Sequence, residues 1–380
     1  MTHQDDPLAD TAAAPSSAAA PSSAAAAFVP GAELCRAFYD EVLVGLVPAP
    51  HAAGLFGPGS DVLGYDTPRS TDHDWGPRAT IFIERGQVTA VRSTIQAGIP
   101  AEFRGWPVRF GSDRHPVAPR IEVTTLPDWT RDHIGFYPIV DGLHLVDWLV
   151  TPQQRLLEIV TGPVFADPSG DLARLRRALA WYPDDAWWWI IASMWRRIAQ
   201  EEPFVQRTAE VGDETGSRLL AARLVRDAMR LALLLARRYA PYTKWLGSAF
   251  ARLDDPEGLA VDLAGALDAA ALPAREAHLG AAYRTLASRF NALLDGDGPD
   301  PSLRPFHDRP VIILGADRFA DAALARVGDP ALRRMSLIGS IDTVTDSTDL
   351  LTDPAEWRRL RCLYVRQPAA EIGTSVVGAR

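Results

Sequence analysis

Apolar positions along the chain fall into two regimes. Over residues 31–46, Leu34, Phe38, Val42 and Leu46 recur at helical spacing, which predicts an amphipathic helix stopped by Pro48 and Pro50. Short apolar runs come next. Residues 52–56 read as a strand, and 72–75 with 79–84 as a strand pair or one interrupted strand. Residues 108–110 and 120–126 read as further strands, whereas 87–106 has weak periodicity. Residues 126–134 and 152–161 read as helices, and 164–167 as a last strand before the turn Pro168-Ser169-Gly170. From Asp171 the helical period dominates: 171–181, 185–201, 216–239, 242–252, 257–271 and 275–294, with Pro183, Pro203, Pro241, Pro256 and Pro273 at the boundaries. Residues 310–315 read as a strand or a buried helix start, and 317–327 and 330–337 as helices. The pattern predicts an α/β domain over 28–170 with a small mixed sheet, then an α-helical bundle domain over 171–366. An Ala/Pro/Ser tail (1–27), with two copies of AAAPSS, and a loose end (367–380) flank them.

The candidate chemistry sits at the front of the first domain. Gly57-Pro58-Gly59-Ser60 is a turn without large side chains, able to bring backbone N–H groups close to a phosphate. Asp72-His73-Asp74 follows after eleven residues. On a strand the two carboxylates would share a face and His73 would take the other. Two hard oxygen anions side by side call for a cation, and Mg²⁺ is commonly held by one or two carboxylates plus phosphate oxygens. The bland alternative is a solvated loop. Ser70 and Thr71 read as turn formers, with a phosphate contact as the alternative for Ser70.

The Gly-Ser turn, the spacer and Asp-x-Asp resemble the signature of the nucleotidyltransferase superfamily, which includes DNA polymerase beta-like enzymes and aminoglycoside adenylyltransferases. The fuller wording GSDVLGYDTPRSTDHDWGPR, with RLLEIVTGPVFADPSGDL, WYPDDAWWW and RRYAPYTKWLGSAF, is similar to an uncharacterised bacterial branch catalogued only as a domain of unknown function, over residues 34–291. The resemblance implies an α/β (α+β) nucleotidyltransferase fold with its active site in the cleft before the helical domain. It implies Asp72 and Asp74 as metal ligands and catalytic residues for two Mg²⁺ ions, and Gly59 and Ser60 as triphosphate contacts. A third acidic residue on a later strand completes such sites. Glu122, flanked by Ile121 and Val123, takes that role, although alone it reads equally as an exposed-face residue. Glu84, its rival, stands at a strand end.

The helical domain adds weaker candidates. Trp181, Trp188 and Trp195 recur every seven residues and read first as core. Arg223, Asp227 and Arg230 lie at helical spacing in an apolar helix. Arg223–Asp227 reads as an i,i+4 salt bridge, with Asp227, Glu201 and Glu202 as candidate bases if the helix faces the cleft. Lys244 is the only lysine among 39 basic residues. Its confined setting between Tyr242 and Trp245, with the superfamily habit of reaching a lysine to the triphosphate, makes it a nucleotide contact.

Charge and cysteine content narrow the reading. A net charge of −9 argues against nucleic acid as partner, and no apolar run has membrane-spanning length. Cys35 and Cys362 form no metal-ligand spacing and fit a reducing cytoplasm, and no basic segment marks a leader. The expectation is therefore a Mg²⁺-dependent cytoplasmic enzyme moving AMP from ATP, its co-substrate, to a hydroxyl of a small-molecule acceptor, drawn as a cation to an acidic cleft. A protein-modifying transferase and a silent nucleotide-binding module are the alternatives.

Overall fold

Three-residue and four-residue apolar runs can satisfy their backbone only by pairing with one another, and here they do. The computed structural model describes residues 27–48, 50–112 and 115–364. The expected terminal segments 1–27 and 367–380 lie outside them, save for Phe28's neighbour Ala27. Helix α1 (Gly31–Glu41) carries Leu34, Cys35 and Phe38 inward. Strand β1 (Ala52–Gly54) leads to a short helix α2 (Ser60–Leu63). Strand β2 (Ala79–Phe82) precedes helix α3 (Val88–Gly98), in the stretch where periodicity was weak. Strand β3 (Ile121–Thr124) runs directly into α4 (Leu126–Ile134), capped by Thr125, and α5 (Gln153–Val160) precedes strand β4 (Val164–Ala166).

The sheet order is β3-β2-β1-β4. β1 pairs antiparallel with β2 and with β4, and β2 pairs parallel with β3, placing Thr80 opposite Glu122. The sheet is therefore small and mixed. Between β2 and β3 a hairpin, Arg109–Ser112 with His115–Pro119, stands off the sheet. Its second strand has no counterpart in the periodicity, because Pro116 and Pro119 interrupt it.

The helical region follows, with α6 (Asp184–Glu201), α7 (Glu214–Leu235), α8 (Thr243–Phe250) and long helices over Leu259–Asp268 and Leu272–Ala292. One face of the sheet packs under α1 and α3 through Leu34, Phe38, Ile81, Val91, Ile95 and Val123. The other face belongs to the large core: Phe56, Phe82 and Trp129 join the tryptophans and leucines of the helical region in one apolar cluster. Trp188 and Trp195 both meet Phe290 edge-on, at 6.1 and 6.0 Å between ring centroids. Trp181 lies before α6 and packs on Tyr182 and Tyr239 instead. No helix among the described residues is long and apolar enough to cross a membrane.

Two expectations are corrected here. Asp72 and Asp74 are not on a strand. Thr67 and Ser70 form a reciprocal cap, Pro68 opens a 3-10 turn over Pro68–Asp72, and Asp74 sits at a left-handed φ of 46°. Gly76 and Pro77 then bend the chain before β2 starts. Strand alternation therefore does not order these side chains. Arg223 and Asp227 do not pair either. Asp227 is fully buried and held by Arg197, with Nε 2.5 Å from Oδ2, while Arg223 meets Glu201 at 2.9 Å. Tertiary partners on α6 outcompete the local pair. Replacing Asp227 with alanine should leave Arg197 without its buried counter-charge and cost about 3 kcal/mol, read as a lower urea midpoint at unchanged slope.

Candidate functional site

A cleft of ≈ 940 Å³ opens along the edge where the sheet loops face α8. Its wall holds Gly59, Ser60, Ser70, Asp72, Asp74 and Glu122 from the first region and Lys244 from the second. Seven of the sequence-nominated residues thus share one cavity. Asp227 and Arg223 are not on its wall, since α7 turns them toward α6. Glu202 is likewise structural: its carboxylate accepts from the backbone N–H groups of Leu314 and Ala316, at 2.8 and 2.9 Å. Burial pushes its carboxyl up to about 7. Glu84 is exposed ahead of the turn Arg85–Gln87.

The glycine requirement at Gly59 has a local cause. A Cβ there would lie 2.1 Å from Asp61 Oδ1 and 2.2 Å from an Arg78 guanidinium nitrogen. Those two side chains form a two-pronged ion pair directly beneath the turn: Arg78 Nε and NH2 donate to Asp61 Oδ2 and Oδ1 at 3.0 and 2.5 Å. Asp61 is buried. The pair, missed from the sequence, supports the turn from below; an aspartate straight after Gly-Ser and an arginine straight before an apolar run were its only signals. Ser70 is a turn former, accepting from Thr67 N–H at 3.1 Å, and Thr71 Oγ donates to Pro68 O at 2.9 Å.

The carboxylates have partners of their own. His73 Nδ1 lies 2.6 Å from Asp72 Oδ1, so the histidine serves its neighbour. Arg120, at the start of β3, reaches Asp74 Oδ1 at 3.4 Å. Glu122 faces the cleft between protein walls. Its side chain is solvent-exposed, and partial desolvation at the cleft wall pushes its carboxyl above the ordinary range, opposed by the nearby His133 and a hydrogen bond from Trp129. Among the described residues no three His, Cys, Asp or Glu side chains converge as a metal-binding group. The donor chemistry of Asp72 and Asp74 still suits Mg²⁺, which takes one or two carboxylates and completes its shell with phosphate oxygens and water.

Among the described residues, four carboxylates (Asp61, Asp72, Asp74, Glu122) and four cations (Arg69, Arg78, Arg120, Lys244) line the cleft. These eight side chains balance in sign. The three arginines were missed because arginine is common throughout the chain.

Lys244 and Trp245 reach the cleft because the loop before α8 hangs on α5. Ala240 N–H donates to Gln153 Oε1 at 2.7 Å and Tyr242 N–H to Gln154 Oε1 at 3.1 Å. Gln154 Nε2 in turn donates to the buried Glu158 at 3.0 Å.

Residues 148–246 match a family described as "Domain of unknown function (DUF4037)". The match covers α5, α6, α7 and the start of α8, and so includes Lys244 but not the loops carrying Gly59 to Glu122. No curated protein and no solved structure matches the chain.

Glu158 offers a pH test of this scaffold. Burial opposes its charge, but His133, Arg155 and Gln154 outweigh burial and hold its carboxyl below the ordinary value. A depressed carboxylate stabilises the fold above its unfolded value and loses that contribution as pH falls through the folded one. Glu158→Gln should therefore lower the urea midpoint at pH 7. The gap to wild type should stay constant above about pH 5 and shrink below about pH 4.3.

Proposed function

We propose that the chain is a nucleotidyltransferase that moves AMP from ATP to a hydroxyl of a small-molecule acceptor. The observation that carries the reading is the meeting, in one cleft, of the Gly59-Ser60 turn, Asp72-x-Asp74, Glu122 and Lys244, residues up to 185 positions apart in the chain. The first four carry the superfamily resemblance, and a phosphate-binding lysine facing them completes the set.

In this reading the Gly59-Ser60 backbone N–H groups and the Ser60 hydroxyl hold the triphosphate, and the Lys244 ammonium meets its outer phosphates. Asp72 and Asp74 would hold magnesium, which would supply charge neutralisation at the reacting phosphate. Glu122, exposed at the cleft wall with its carboxyl raised by partial desolvation, accepts the acceptor hydroxyl proton as that oxygen attacks. The cleft volume lies at the upper end of small-molecule sites, roughly 300–1,000 Å³, which favours a small acceptor over a folded protein surface.

The test uses α-labelled and γ-labelled ATP with magnesium and a set of hydroxylated small molecules. Label from the α-position should appear on a small molecule, with pyrophosphate released in equal amount. Label on a protein band instead would move the chain to the protein-modifying class. Saturable ATP binding with neither product would leave a silent module.

Asp72→Asn and Asp74→Asn should each slow transfer by at least about a hundredfold, because a metal ligand contributes several kcal/mol to the transition state. Their thermal midpoints should stay within a few degrees of wild type. Asparagine keeps the size of either side chain, and at position 74 it tolerates the left-handed φ of 46°. Unchanged turnover in either variant removes the assignment.

Lys244→Ala should weaken ATP binding about ten- to a hundredfold, the worth of a charge-assisted contact. Lys244→Arg should recover only part of it. Equal affinity in an ATP titration would return Lys244 to the solvent-facing surface.

A further inference from the structure

Lys244 does not stand alone at the cleft mouth. Its ammonium lies 4.9 Å from the centroid of the Trp245 ring. Trp245 stacks on Tyr65, with centroids 5.1 Å apart and planes 15° from parallel. The Arg252 guanidinium sits 3.9 Å from the Tyr65 centroid. Arg252 also donates to the carbonyls of Leu63, at 3.3 Å, and Gly64, which close α2. Tyr65 N–H donates to Ser60 O at 2.7 Å. A cation–ring–ring–cation run therefore links the helix that begins at Ser60 to the lysine that faces it. Both cations sit where a ring's negative face attracts them, and Tyr65 is seated in the apolar cluster of Leu233, Ala240, Leu246 and Ala249.

We propose that Trp245, braced by Tyr65 and Arg252, is the positioning residue that presents the Lys244 ammonium to the cleft. The inference rests on the reading of Lys244 as a phosphate ligand. A flexible four-carbon stem must otherwise be ordered when the ligand arrives; contact with the indole orders it beforehand. The same run ties the lysine's placement to the Ser60 turn, so the two candidate phosphate contacts hold a fixed relation.

The chain's single lysine makes this directly measurable. Reductive methylation with ¹³C-formaldehyde labels only Lys244 and the terminal amine, and it retains the charge; Lys244→Arg assigns the two signals. The Lys244 methyl resonance should lie upfield of free dimethyl-lysine, displaced by the Trp245 ring current. It should return to the free position in Trp245→Leu and stay displaced in Trp245→Phe. Tyr65→Leu should move it part of the way and serves if Trp245→Leu fails to fold. A wild-type resonance at the free position, or one unmoved by Trp245→Leu, overturns the inference.

ATP titrations supply the functional arm. Trp245→Leu should weaken binding about as much as Lys244→Ala, the double variant should lose little more, and Trp245→Phe should restore most of it. Additive losses overturn the positioning role. A displaced, Trp245-dependent resonance that saturating ATP does not move supports the placement of the ammonium by Trp245. That result overturns the phosphate-ligand reading alone.

Discussion

The arrangement depends on one buried charge. Glu158 has no exposed surface, yet it is surrounded by His133 Nε2 at 3.0 Å, Arg155 NH1 at 2.8 Å and Gln154 Nε2 at 3.0 Å. A carboxylate out of water is tolerable only when its oxygens are met this way. Because the carboxylate can only accept, it fixes the Gln154 amide with the nitrogen inward and the oxygen outward. That oxygen receives Tyr242 N–H, and the chain from Tyr242 to Trp245 is thereby set on the cleft wall. His133 also lies flat on Trp129, 4.9 Å between centroids, and Trp129 packs on Phe56 and Phe82 of the sheet region. One ion therefore anchors the sheet, α5 and the loop into α8 together.

The segment after residue 310 buttresses the same helix, α5. Asp342 accepts from Gln153 N–H at 3.2 Å at the first turn of α5. Trp357 is fully buried with the Arg155 guanidinium 5.7 Å from its ring centroid. Arg155, held on one side by Glu158 and on the other by this aromatic, gains a fixed pose that surface exposure would deny it. Arg230 donates to Asp342 O at 2.7 Å, so the charge that stood out in an apolar helix also serves this strap. Charges inside the helical region are thus brackets between elements.

Legibility followed the range of the interactions. Helices α1, α4, α5, α6 and α7 were readable because their faces repeat within a few residues, and the four sheet strands because each is an apolar run between breakers. Asp72-x-Asp74 misled in one respect: the tripeptide precedes an apolar run, but the Thr67 cap and the Gly76-Pro77 bend separate the two. Arg223–Asp227 misled because helical spacing offers a local partner, whereas α6 supplies better ones. Glu122 and Lys244 could be nominated but not placed together, since nothing local announces that Gln153 and Gln154 carry the α8 loop to the sheet edge. The Asp61–Arg78 pair spans only seventeen positions, yet its meaning depends on a turn geometry that spacing alone does not give.

The overall charge of the chain says little about what enters the cleft. A net −9 is spread over the whole molecule, and at physiological salt its field fades within about 8 Å. Inside the cleft the nearest groups decide. Among the described residues Asp61 meets Arg78, Asp74 meets Arg120 and Asp72 meets His73, while Arg69, Lys244 and Glu122 also line the wall. Such a wall offers both cations and carboxylates to a ligand. The proposed phosphate chain with its counter-ion would satisfy both, the ion meeting carboxylates and the phosphates meeting cations. A polycation would satisfy only half of the wall and crowd the rest. The acidity of the protein and the anionic character of the proposed ligand are therefore compatible.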